Sequence, residues 1–404
     1  MNTLLWTSST FIMVVLLALL AVRALRELLG VDLARYMADG KLSPANWPWP
    51  VLFAASLAVL WLGALGGYVA IHGTDGFFHH FWSRFTQAGD AEHYLYIAEN
   101  GYASAGDAIN KIVFFPLYPL LIAIVGTLLG GRLALAGVII SQVCYGMSAV
   151  VLARLAKLDC RHPGTVLLAY WLYPFGFFCL GVFTEGLFLL LTILGLYLIR
   201  TRRWALAGLV GFLCALTRTQ GVLLLLPGVY CAWQDCRKNG WNWRFLALLA
   251  PLAGYGVYLV INKVVCGDFM AYLYYESIAP WWQHAQWIGA TVAQQWDMAI
   301  GYPGLAMWIY WPQLLLYFIL AAALFWGYRQ RLHTSHILFG TAYLGMSYTP
   351  SWLISGSRYS FGCVPMYLCV GSIESRTARG AILLAELIAF GMYIYWFMQG
   401  QAIM

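Results

Sequence analysis

Residues 178–191 read FCLGVFTEGLFLLL, and the fold class turns on how this stretch is understood. Glu185 is its one charged residue, set between apolar runs at 163–182 and 185–199. A carboxylate at membrane depth is costly and is by default a functional candidate. The other reading is a loop glutamate that caps the next helix together with Thr184. Outward from this point the apolar pattern continues. Runs lie near 8–22, 50–71, 132–153, 163–182, 185–199, 204–217, 219–234, 246–265, 304–327, 334–350, 359–373 and 380–398. Crossing a bilayer takes about 20 apolar residues. The 404 residues are 62% hydrophobic and 10% charged, against roughly 25% charged in an ordinary globular protein. Composition therefore excludes a soluble enzyme, a secreted disulfide module and a disordered chain. It predicts an all-α polytopic membrane protein, a single integral domain over 1–404 with about 12 transmembrane helices.

The formal charge of +7 does not call for nucleic acid, because Lys and Arg collect in cytoplasmic loops of membrane proteins. Six clusters are visible: Arg23/Arg26/Arg35/Lys41, Arg154/Lys157/Arg161, Arg200/Arg202/Arg203, Arg237/Lys238/Arg244, Arg329/Arg331 and Arg376/Arg379. The acidic residues instead gather in two long polar segments, 72–112 and 267–303. Both are expected to be extracytoplasmic, with the two termini on the same side. A further apolar run at 113–130 breaks the count of crossings. It opens with Phe114-Phe115-Pro116-Leu117-Tyr118-Pro119, and prolines so close together disrupt helix hydrogen bonding. It is expected to be a juxtamembrane or re-entrant helix beside a cavity. The first apolar stretch ends at Arg23 and Arg26 without a small-residue cleavage site, so it reads as a retained span. The nine cysteines form no CxxC pair, and neither a zinc site nor a disulfide framework is expected.

Three places carry candidate chemistry. The first outer loop contains GDAEHYLYIAENGY at 89–102, suited to amphipathic helices lying in the interface. Asp90 would share a helix face with His93 and Tyr94, with Glu92 nearby. Asp90 is either a general base or the N-cap of an interfacial helix. Arg218, in ALTRTQGVLLLLP, stands with Gln220 in a turn between two apolar runs too short to span on their own. A buried Arg seeks a carboxylate or a phosphate, so Arg218 is either a phosphate ligand or a structural partner of Glu185. Arg358, in SGSRYS, repeats that situation. Trp282 lies in the aromatic stretch YLYYESIAPWWQHAQW, an interfacial belt or a sugar-stacking platform. His79 and His80 lack placed partners for a metal.

Taken in order, GDAEHYLYIAENGY, FFPLYPLL, YPFGFFCLGVFTEGLFLLL, ALTRTQGVLLLLP, GDFMAYLYYESIAPWW and SRYSFGCVPMYL resemble the GPI mannosyltransferase II (PIG-V) family and its bacterial relatives, over about residues 82–370. That family belongs to the GT-C glycosyltransferases. The resemblance implies a GT-C-type bundle and transfer of mannose from a polyprenyl-phosphate donor to a lipid-linked or glycolipid acceptor on the outer side. It implies a bacterial plasma membrane, or the endoplasmic reticulum in a eukaryote. Carried over by position, the loop aspartate falls on Asp90, the FPLYP segment on 115–119 with Tyr118, the membrane glutamate on Glu185, and the Thr-Arg turn on Thr217 and Arg218. One departure is Gly89, where the family usually has Trp. Shorter length and an extra span before the core point to a bacterial relative.

Chemistry and resemblance meet on a metal-independent, cofactor-free inverting displacement. Asp90 takes the acceptor proton. Arg218 and Arg358 stabilise the departing phosphate. Glu185, Glu92, His93, Tyr94, Gln220, Tyr118 and Trp282 are candidates for acceptor or sugar binding. The competing class is a polytopic lipid or sugar transporter or flippase, which intramembrane charges and broken helices also suit.

Overall fold

The computed structural model describes residues 1–28, 43–353, 355–401 and 403. Arg35 and Lys41 of the first basic cluster lie outside them. Among the described residues every regular element is helical, and the only strand-like contact is an isolated bridge between Ala285 and Pro350. The first thirteen helices are α1 Asn2–Leu28, α2 Trp49–His72, α3 Phe77–Thr86, α4 Ala91–Asn100, α5 Leu117–Leu128, α6 Leu133–Asp159, α7 Pro163–Trp171, α8 Glu185–Arg200, α9 Trp204–Ala215, α10 Leu225–Asn239, α11 Ala250–Cys266, α12 Ala271–Ser277 and α13 Ile288–Gly301. Longer segments follow at Pro303–Arg329 and Arg376–Met398, with Thr334–Ser347 and the short Pro365–Val370 between them.

Six described helices are long and apolar enough to cross a membrane: Asn2–Glu27, Trp49–Ala70, Leu133–Asp159, Trp243–Cys266, Pro303–Arg329 and Arg376–Met398. The chain is a multi-pass membrane protein. The other expected runs also fold as helix but are short or broken. The run at 163–182 stops as α-helix at Trp171 and resumes as a 3-10 turn over Gly176–Leu180. The physical reason is position. α8, between its partners α6 and α9, is buried along almost its whole length, so it has no lipid-facing length to satisfy. α1, by contrast, exposes Phe11, Val14 and Leu17, a stripe that suits lipid and not water.

α6 and α8 run side by side in the same direction. At one end Gly186 lies so close to Ser141 that a Cβ would come 2.3 Å from its carbonyl oxygen. At the other, Arg200 Nη2 reaches Asp159 Oδ1 at 2.6 Å. The second end collects the basic clusters. There Arg23 donates to the carbonyls of Tyr328 and Leu332, Arg202 pairs with Asp235 at 2.8 Å, and Arg161 pairs with Glu374 at 2.5 Å. The long loops and both termini meet at the opposite end. Asn2 donates to Asp297, and Arg84 donates to the carbonyls of Phe397 and Gln401.

The run at 113–130 bends by 109° between the 3-10 helix Asp107–Val113 and α5. Proline at 116, which cannot donate a backbone hydrogen bond, stands at the break. α5 then lies antiparallel to the start of α6. Tyr118 Oη donates to the Gly137 carbonyl at 3.1 Å, while Gly126 faces Leu133. The Leu117 N–H donates to the Leu216 carbonyl at 3.0 Å, which fastens this element to the turn bearing Arg218.

Candidate functional site

Asp90 enters the site from a turn that only glycine makes cheaply. Gly89 has φ +59, in the left-handed region that strains any residue with a Cβ. Asp90 occupies the N-cap position of α4, yet its side chain makes no capping hydrogen bond. It accepts instead from Arg358 Nη2. Its side chain remains 20% exposed.

Arg358 sits in the short helix Gly356–Tyr359 and is buried. Its Nε lies 2.6 Å from Glu185 Oε1, off the hydrogen-bond direction, so that this N–H has no acceptor. The guanidinium rests between the rings of Phe178, Phe183 and Tyr359, 5.0–5.4 Å from their centroids. Glu185, the first residue of α8, is 2% exposed. Its Oε1 also accepts from Arg218 Nη2 at 2.5 Å, while Oε2 is buried without a partner. Arg218 completes its fork on Thr184 Oγ1, at 2.9 Å from Nε and 2.7 Å from Nη2. Its guanidinium carbon lies 4.8 Å from the centre of the Tyr359 ring. The result is one alternating chain, Asp90–Arg358–Glu185–Arg218, of two acids and two bases whose formal charges cancel.

The chain lies at the level of Ser141, eight residues or about 12 Å of helix rise below the start of α6. Ser141 Oγ donates to the Phe183 carbonyl at 2.9 Å and shares a 2.7 Å hydrogen bond with Tyr118. Tyr94 packs edge-on against Tyr118 at 5.2 Å, and its hydroxyl lies 3.5 Å from Thr184 Oγ1. Above them His93 lies tilted against Phe114 at 4.9 Å and meets Trp281 edge-on at 5.4 Å. Lys111 Nζ donates to His93 Nδ1 at 2.8 Å. Glu92 is exposed, with Oε1 3.7 Å from His93 Nε2. Gln220 is half-buried in the turn after Arg218.

Electrostatics follow from these contacts. Burial alone would raise the Asp90 carboxyl. Arg358, with His93 and Arg218 behind it, outweighs burial and holds it below the ordinary aspartate range. Burial, and then the Lys111 ammonium, lower His93 against the pull of Asp90 and Glu92. The ring is therefore neutral at pH 7, and because Nδ1 accepts from Lys111 its proton is on Nε2. On α12, burial pushes Glu276 up to about 7.

Of the residues singled out in the sequence, the structure brings Asp90, Glu185, Arg218 and Arg358 into one network, with Tyr94, Tyr118 and His93 along its side. It does not bring Trp282, which is 62% exposed; the neighbouring Trp281 faces His93 instead. Both guanidinium groups, expected to meet a phosphate, are turned to carboxylates. Sequence reasoning missed Tyr359, Lys111 and Trp281. Tyr359 follows Arg358 directly and was the most discoverable. Nothing in the local pattern separates Trp281 from Trp282.

No family model matches the chain. Over 159 residues it is 30% identical to a protein named GPI mannosyltransferase 2 from Yarrowia lipolytica, a match that takes in 38% of this chain and 40% of that protein. The matched part is thus less than half of that relative's length. The membrane helices and this partial similarity together describe a multi-pass membrane protein, part of which resembles a protein of that name.

Proposed function

We propose that the chain is a GT-C-type mannosyltransferase that moves mannose from a polyprenyl-phosphate donor to a lipid-linked or glycolipid acceptor. The observation that carries this reading is the placement of Asp90. It is a carboxylate fixed by a buried arginine yet partly open, at the edge of a polar network sunk within a helical bundle. The acceptor hydroxyl attacks the anomeric carbon of the donor sugar. The bond from that carbon to the phosphate oxygen breaks, and the phosphate leaves with the electron pair. Asp90 takes the hydroxyl proton as the new bond forms. A carboxylate with a lowered pKa is a weak base, but it is ionised throughout the physiological range, and the hydroxyl becomes strongly acidic as its oxygen bonds to carbon. A single in-line displacement inverts the anomeric centre.

Arg358 positions Asp90 by its hydrogen bond, and Arg218 anchors Glu185 in the same network. Glu185 keeps both guanidinium groups in place, and its unpartnered oxygen is available to an acceptor hydroxyl or ammonium. The basic end of the bundle is the cytoplasmic end by the charge rule. The loops 72–112 and 267–303, and the site, then face outward. Twelve passes between the two ends, six of full length, accommodate this orientation, with 113–130 re-entrant.

The test is direct. Purified full-length protein in detergent is given radiolabelled polyprenyl-phosphate-mannose and a lipid extract as acceptor. Label should appear in a glycolipid of inverted linkage, and metal chelation should leave it unchanged. Absence of transfer, together with movement of the labelled lipid across reconstituted vesicles, would favour a flippase instead.

A further inference from the structure

A departing phosphate gains charge as its bond to sugar breaks, from one negative charge in the diester toward two in the free monoester. Groups that hold it must therefore offer N–H donors that carboxylates have not already neutralised. The buried chain does not meet that condition, since its two guanidinium groups each face a carboxylate. One turn beyond Asp90 the situation differs. Lys111 is half-buried and, among the described residues, forms no ion pair with a carboxylate. Its ammonium donates to His93 Nδ1 at 2.8 Å and lies 5.0 Å from the centre of the Tyr96 ring. This contact fixes the His93 tautomer, so that Nε2 carries a proton. Trp281 packs on both His93 and Phe114, and its indole N–H is buried without an acceptor. A buried donor left without a partner calls for an explanation. The edge these groups form borders Asp90 directly. The His93 backbone N–H donates to the Asp90 carbonyl at 3.1 Å, and Phe114 packs on Tyr94 at 5.0 Å.

Resting on the glycosyltransferase reading above, we infer that Lys111, His93 and Trp281 form the edge of the site that receives the donor phosphate, in place of Arg218 and Arg358. Lys111 supplies the charge from the Nδ1 side of the ring, while His93 Nε2, on the opposite side, and the buried Trp281 Nε1 supply neutral donors. Glu92 is the opposing group, 3.7 Å from His93 Nε2. It is 66% exposed and turns to solvent when an anion enters.

The test measures binding without requiring turnover. Farnesyl phosphate, farnesol and inorganic phosphate are titrated into the purified full chain in detergent, with calorimetry as readout. The wild type should prefer farnesyl phosphate to farnesol, and inorganic phosphate should compete only weakly. Lys111→Gln should lose roughly tenfold or more in farnesyl phosphate affinity, the scale of a charged hydrogen bond. It should bind farnesol as before. Lys111→Arg should restore most of the preference. Trp281→Phe keeps the ring, drops the N–H and should weaken farnesyl phosphate alone. Unchanged affinity in Lys111→Gln and Trp281→Phe would overturn the inference, as would inorganic phosphate binding as tightly as the lipid phosphate. An enzyme that transfers mannose while its affinity ignores Lys111 would refute this inference only. A chain whose phosphate binding depends on Lys111 but that transfers no sugar would refute the glycosyltransferase reading instead.

Discussion

Two buried ionic networks stand at opposite ends of the same helices, α6 and α8. At the basic end Asp159 engages both carboxylate oxygens. Oδ1 accepts from Arg200 Nη2, and Oδ2 accepts from Arg200 Nε and His336 Nε2, all within 2.8 Å. Glu27 nearby is equally occupied, by Arg23, Thr334, Tyr230 and Gln234. At the loop end Glu185 uses one oxygen for two arginines and leaves the other unpartnered, and Asp90 is partly open. The first network satisfies both of its carboxylates without a ligand, leaving His336 Nδ1 unpartnered, and stitches helices together. The second keeps acceptor capacity in reserve. A buried charge pair by itself says little about function. Unmet carboxylate capacity, found at Glu185 and absent at Asp159, distinguishes a site from a rivet.

The largest expected effect sharpens that contrast at the basic end. Asp159→Asn leaves Arg200 without its counter-charge, and breaking such a buried pair costs about 3–5 kcal/mol. Thermal unfolding in detergent should fall steeply, while turnover per folded molecule stays near wild type. A collapse of turnover at unchanged melting would break the comparison. At the loop end Asp90→Asn keeps the shape and removes the proton acceptor. Transfer should fall by roughly 10²-fold or more, with a melting shift smaller than that of Asp159→Asn. Turnover near wild type would move the base to Glu92 or Glu185.

Glu185→Gln comes next. The apparent KM for acceptor should rise by about tenfold, the scale of one charge-assisted hydrogen bond, with a smaller change in kcat than Asp90→Asn produces. The reverse ranking of kcat effects would exchange the roles of the two acids. Arg218→Lys keeps the charge but loses the planar fork that joins Thr184 and Glu185. A fall of a few-fold in turnover is expected with donor affinity unchanged, and a matching fall in donor affinity would return the phosphate to Arg218.

The smallest effect is with pH. Asp90 has a lowered pKa, so it remains ionised as pH falls and protonates only below the ordinary aspartate range. Activity should therefore be level from about pH 5 to 8. The stabilisation from its pairing with Arg358 is complete above the ordinary aspartate range and is lost as pH falls through the lowered value. An acid limb centred near 7 would point away from Asp90 and toward Glu276, whose carboxyl is pushed up to about 7.

The sequence carried the helical class and the separation of charge. Basic clusters and acidic loops do gather at opposite ends, because lipid forces polar groups to the ends of helices and that pressure is written into composition. Glu185 and Arg218 were legible for a related reason, since an uncompensated charge in an apolar run needs a partner, and each supplies the other's. The bend at Pro116 was legible from proline chemistry. The rest depends on tertiary contact. Arg358 is 268 residues from Asp90, and no local pattern says that they meet. The choice between Trp281 and Trp282 is set by a loop packing on α4. Several expected spans are shorter than a bilayer because they sit inside the bundle, which hydropathy alone does not register.

The shortness of α9 has a consequence for the surrounding bilayer. Its twelve residues rise only about 18 Å, against a hydrocarbon core of roughly 30 Å, yet it exposes Leu206 and Leu209. Lipid beside this face must thin, or headgroups must sink toward the Arg218 turn. Either adjustment would bring polar headgroups closer to the level of the site. On the proposed function, bilayer thickness becomes a setting on activity: short-chain lipids relax the mismatch, and longer acyl chains raise the work of bringing a lipid-borne phosphate into reach.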